Sequence, residues 1–158
     1  RELAAAVSQL LADTEGTITE AEVRRYHSGR AETSGFQIAD KALAGDLAGA
    51  LELARWSQST GLAPVLITSA LASALRSVGI VASAGKAPTN VLAGQLGMPT
   101  WKVEQTQRQA RGWDPGSLTR ALLAVADADA QVKGEGADKD YAVESALVAV
   151  TQARAVAR

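Results

Sequence analysis

Apolar residues recur every three to four positions along nearly the whole chain, a period that predicts helices rather than strands. Leu3, Val7, Leu10 and Leu11 share one face over roughly residues 2–12, and Asp13-Thr14-Glu15-Gly16 breaks that pattern. Thr19, with Glu22 three residues later, has the form of a capping box for a second helix carrying Val23 and Tyr26. That helix is expected to stop at Ser28-Gly29. The small, polar stretch over residues 30–35 reads as a domain junction.

A string of further helices follows. Residues 36–43 form a short one ending at Ala44-Gly45. Asp46 caps the next, which places Leu47, Ala50, Leu51 and Ala54 at i, i+3, i+4 and i+7 and ends at Ser59-Thr60-Gly61. Pro64 suits the first turn of a long helix with Ile67, Ala70, Leu71, Ala74, Leu75 and Val78 on one face. A loop over residues 83–88 precedes a short helix, Asn90 to Leu96, closed by Gly97. Pro99 opens another that runs to about Arg111. Asp114-Pro115 is a cap followed by proline at the first helical position, and Leu118, Ala121, Leu122, Val125 and Val132 continue from it. A loop from Gly134 to Asp140 leads to a last helix with Val143, Ala146, Leu147 and Val150 inward. The fold class expected is all-α, a helical bundle with short connections and antiparallel neighbours.

Composition agrees. About one residue in five is alanine, a strong helix former, and aromatics are only 4% of the 158 residues. The absence of cysteine excludes disulfide scaffolds, iron–sulfur sites, thiolate zinc sites and cysteine nucleophiles. No run of about 18 uninterrupted apolar residues occurs, so no membrane span is expected; Leu62 to Val81 reads as a core helix. The chain opens on Arg1-Glu2, without methionine or an apolar leader, as expected of a piece of a longer protein. The net charge is −1, but residues 61–120 hold six basic and only two acidic side chains. The middle of the chain is therefore mildly basic.

Candidate chemistry is sparse. His27 is the single histidine and lies at a helix end, where a cation complements the dipole. Asp127 and Asp129 are two apart on a helix and point away from each other, whereas Asp129 and Lys133 have ion-pair spacing. Gly134-Glu135-Gly136 lacks the preceding strand and following Lys-Ser/Thr of a phosphate loop. Trp56, Trp101 and Trp113 are expected to pack between helices. The strongest local pattern is a helix-turn-helix shape across residues 90–111, with Lys102, Arg108 and Arg111 making its second helix basic. Thr100, Trp101 and Glu104 at the start of that helix are poor readers of base edges.

Three stretches carry a resemblance to a family. Phe36-Gln-Ile-Ala-Asp-Lys-Ala-Leu-Ala-Gly-Asp-Leu-Ala-Gly-Ala-Leu51 is the first, and Gly61-Leu-Ala-Pro-Val-Leu-Ile-Thr-Ser-Ala-Leu-Ala-Ser-Ala-Leu-Arg76 the second. The third runs from Leu92-Ala-Gly-Gln-Leu-Gly-Met98 through Arg108-Gln-Ala-Arg111 to Ala126-Asp-Ala-Asp-Ala-Gln-Val-Lys-Gly134. In order and spacing they resemble the delta subunit of the bacterial DNA polymerase III clamp loader, with an actinobacterial flavour. The resemblance implies the end of a helical lid domain over residues 1–34 and a helical collar, an oligomerisation domain, over residues 35–158. It implies no catalytic site, cofactor or metal in this chain, although the polymerase holoenzyme as a whole is a nucleotidyltransferase. The implied partners are the delta-prime and gamma/tau subunits through the collar, primer–template DNA in the full complex, and the sliding clamp through a further N-terminal domain. The resemblance implies no membrane contact and a cytoplasmic location. Candidate contacts to a subunit or to DNA are Arg76, Lys102, Arg108, Arg111, Lys133 and Tyr141. The alternative is a helix-turn-helix DNA-binding regulator using residues 90–111. A small helical enzyme has no residue constellation behind it.

Overall fold

The computed structural model describes residues 35–85 and 87–156, and among these there is no strand. The helices are α1 (residues 35–44), α2 (Leu47–Ser59), α3 (Pro64–Ser83), α4 (Thr89–Leu96), α5 (Thr100–Ala110), α6 (Pro115–Ala130) and α7 (Lys139–Val156). A π-helical turn, Gln131–Glu135, extends α6. The all-α bundle expected from the periodicity is the fold observed. The two helices expected before Gly29, and residues 30–34 of the junction expected over 30–35, lie outside the described residues; Gly35 is already in α1.

Local chemistry sets the boundaries. Gly45 takes φ +89° between α1 and α2, a conformation that costs glycine little. The Asp46 carboxylate then accepts from the Gly49 N–H at 2.9 Å and pairs with Lys41 at 2.9 Å. Pro64 occupies the first turn of α3, where its missing N–H leaves no bond unmade. Gly97, left-handed at φ +61°, ends α4. At the head of α6, Asp114 accepts from the Ser117 N–H at 2.8 Å while the Ser117 hydroxyl accepts from the Asp114 N–H at 2.9 Å. That reciprocal pair satisfies two donors that would otherwise be orphaned at the helix start.

The core is built around α3, which packs against α5, α6 and α7. It buries Ile67, Thr68, Ala70, Leu71, Leu75, Val78 and Val81. From α6 come Leu118, Ala121, Val125 and Ala128, and from α7 come Val143, Ala146, Leu147 and Val150. Alanine has a packing role here beyond helix propensity. Ala39, Ala42, Ala50, Ala54, Ala121 and Ala146 are buried at helix contacts, where a small side chain lets backbones approach closely. α2 runs antiparallel to α7, as two cross-links show. Arg55 donates to both carboxylate oxygens of Glu144, at 2.6 and 2.9 Å, and Gln58 donates to Asp140 at 2.7 Å.

Three expectations change. The loop placed at residues 134–140 is shorter by two residues: Gly134 leaves helical geometry at φ +137°, Gly136 is extended, and the Asp138 carboxylate accepts from the Tyr141 N–H at 2.9 Å, so α7 already begins at Lys139. Of the tryptophans expected to pack between helices, Trp113 is buried, but Trp56 and Trp101 are 55% and 63% exposed. Finally, α3 is long and apolar enough to cross a membrane by length and composition, because Ser, Thr, Ala and Gly are only weakly polar. Its position in the bundle makes it the core helix, since one side of it is covered by α5, α6 and α7.

Leu71→Ala is expected to lower unfolding stability by about 2–5 kcal/mol, because the surrounding helices relax only partly around the lost volume. Leu123→Ala, at an exposed site on α6, is expected to stay within about 0.5 kcal/mol. Urea denaturation of the two variants checks the contrast.

Candidate assembly surface

The orientation of α5 decides which of the candidate side chains reach solvent. Val103 and Thr106 are buried in the bundle, which sets the inner side of this helix. A second side is tied to α1. The Asp40 carboxylate accepts from Gln105 Nε2 at 2.9 Å and Gln109 Nε2 at 3.0 Å, and Lys102 Nζ lies 3.4 Å from it. A third tie runs to α4, where the Thr89 hydroxyl donates to Gln107 Oε1 at 3.2 Å. What is left facing outward is the row Trp101, Glu104, Arg108 and Arg111, at i, i+3, i+7 and i+10.

The six candidate contact residues fall into different situations. Arg108 and Arg111 are exposed on this face and form no ion pair among the described residues. Arg76 is exposed on α3, also without an ion pair. Lys102 points the other way, to Asp40. Lys133 pairs with Asp129 at 2.5 Å, and the other oxygen of Asp129 accepts from the Thr68 hydroxyl at 2.8 Å, which ties α6 to α3. Tyr141 is 67% exposed at the start of α7. Arg108 and Arg111, three residues apart, share one helix face. The aromatic residue beside them, Trp101, is the member that the sequence reading assigned to packing. Its place in the same row as Glu104, Arg108 and Arg111, out of phase with Val103 and Thr106, is the signal that identifies it.

Other candidate chemistry finds little support in the geometry. Among the described residues there is no group of three or more His, Cys, Asp or Glu side chains that could hold a metal ion. His27 lies outside the described residues. Gly134 and Gly136 follow a helix rather than a strand. Asp127 is exposed and separate from the Thr68–Asp129–Lys133 chain.

Among the described residues, three carboxylates are held below their ordinary pKa range: Asp46, by its bonds from Lys41 and the Gly49 N–H, Glu144 and Asp129. The hydrogen bond from Arg55 holds Glu144 below the ordinary glutamate range, against the opposing effect of burial. The bond from Lys133 does the same for Asp129, again opposed by burial and helped by Thr68. A carboxylate with a lower pKa folded than unfolded adds stability above its unfolded pKa and loses it as pH falls through the folded value. Acidification below the ordinary glutamate value of 4.5 is therefore expected to weaken the α2–α7 link. In Glu144→Gln the stability at neutral pH is expected to be lower, and the further loss on acidification smaller. Denaturation midpoints at neutral pH and below pH ~4 check this.

Seven described helices, three of them packed on the central α3, with an outward aromatic and cationic row, define an all-α bundle domain. The family model described as "DNA polymerase III delta subunit, C-terminal domain" matches residues 32–150, and the chain belongs to that family. Among solved structures, the DNA clamp loader delta protein of Bacillus subtilis is similar in fold, with a TM-score of 0.68 and 16% sequence identity. The match covers 94% of this chain and 45% of that one, so this chain spans less than half the length of the Bacillus protein. A comparison with curated proteins finds no match.

Proposed function

We propose that residues 35–158 are the collar of a clamp-loader delta subunit, and residues 1–34 the end of its lid domain. The collar joins the delta-prime and gamma/tau subunits. It thereby holds delta in the ring from which a further N-terminal domain opens the sliding clamp and loads it on primer–template DNA. The role is structural, cytoplasmic and non-catalytic within the replicative polymerase holoenzyme. The observation that carries this reading is the family match over residues 32–150, which spans the described helices almost to the end of α7.

Physical features support an assembly role. Exposed aromatic side chains at Trp56, Trp101 and Tyr141 are the residue types that anchor protein interfaces. The helix-turn-helix regulator is not favoured. Its second helix is α5, whose Lys102 is engaged by Asp40 and whose first turn offers Thr100, Trp101 and Glu104. Those side chains lack the bidentate donors that read guanine or adenine edges.

Delta deleted for residues 35–158 is expected to be absent from the loader complex when all subunits are co-expressed and resolved by size exclusion. The purified chain alone is expected to hydrolyse no ATP. Normal entry of the truncated subunit into the complex refutes the assembly role.

A further inference from the structure

We infer that the outer face of α5 docks an acidic segment of a neighbouring loader subunit, with Trp101 as the apolar anchor and Arg108 and Arg111 as the charged partners. This rests on the reading of the chain as a loader subunit and assigns one face and one partner chemistry to it.

Trp101 cannot turn inward. The rotation of α5 is fixed on its other sides by Val103 and Thr106, by the three side chains gathered on Asp40, and by the Thr89–Gln107 bond. The indole is thereby held 63% exposed. Burying a tryptophan removes a large apolar area from water, so an indole held outward on a regular helix favours a surface that covers it.

The charges identify the partner. Arg108 and Arg111 lie two and three turns beyond Trp101, in a row about 15 Å long at the rise of an α-helix. Glu104 and Arg108 have the i, i+4 spacing and orientation that favour an ion pair, yet neither forms one. Both guanidinium groups are free to meet carboxylates on another chain. The helix dipole accounts for arginine near the end of α5 but not for tryptophan in its first turn. Glu104 sits in the row between Trp101 and Arg108. A phosphate backbone tracking the row would meet that carboxylate, whereas a protein segment can place a cation or a donor opposite it. The face thus fits a protein segment with acidic residues in excess, rather than a nucleic acid strand.

The test uses full-length delta in the loader reconstituted from the subunits of the same organism. Trp101→Ala and the double variant Arg108→Glu/Arg111→Glu are compared with wild type. Assembly affinity is read at low and high salt, and affinity for a primed-template oligonucleotide in parallel. All three sites are exposed, so helicity and melting temperature should be unchanged and serve as the folding control. Each variant should weaken assembly at least tenfold. The double variant should also lose most of the salt dependence, with DNA affinity within about twofold of wild type. Unchanged assembly by both variants overturns the inference. So does intact assembly with weakened DNA binding, which would make this a nucleic acid face. If wild-type delta fails to assemble at all, the loader reading falls, and this inference with it.

Discussion

The burial of α3 is the constraint on which the rest of the bundle depends. It is the longest described helix and the one against which α5, α6 and α7 all pack. Its fully buried leucine, isoleucine and valine side chains each contribute roughly 1.5–3 kcal/mol by leaving water. Such a helix has little stability in water by itself and is held by what covers its apolar side. The polar exception on that side, Thr68, is satisfied across the interface by Asp129, which is in turn held by Lys133. The Val65 carbonyl of the same helix also lies 3.1 Å from this hydroxyl, so the Asp129 bond serves to tie α3 to α6.

The surface follows from the same packing. Once α3 fixes Val103 and Thr106 inward, Asp40 and Thr89 lock the two flanks of α5. The outward row is then determined, and with it the separation of used from unused cations. Lys102 and Lys133 are spent inside the fold, and Arg76, Arg108 and Arg111 are left to solvent. Within the mildly basic middle segment, Lys102 is engaged by Asp40, while Arg76, Arg108 and Arg111 are exposed without ion pairs among the described residues. Arg108 and Arg111 lie on one helix face.

Much of the fold was legible because the signals are local. Asp46, Pro64, Gly97 and Asp114-Pro115 act within one or two turns of where they stand, so the helix boundaries they mark agree closely with the structure. Periodicity placed Ile67, Leu71, Leu75, Val143, Leu147 and Val150 inward, and all are buried. The turn after α6 was less legible. Helical geometry breaks where Gly134 takes φ +137° and resumes where Asp138 caps the next helix, and periodicity does not mark either residue.

The sequence by itself determined the helical class, the helix ends, the inner faces and the family resemblance, because propensity, capping and a 3.6-residue period are written in neighbouring residues. Only the tertiary structure decided which tryptophan is covered, which lysines are occupied and which arginines share a face. Those outcomes turn on partners far apart in the chain: Asp40 with α5 across more than 60 residues, Thr68 with Asp129 across 61, and Arg55 with Glu144 across 89. A helical period tells which residues share a side of one helix. It does not tell which other helix, or which solvent-facing gap, that side meets.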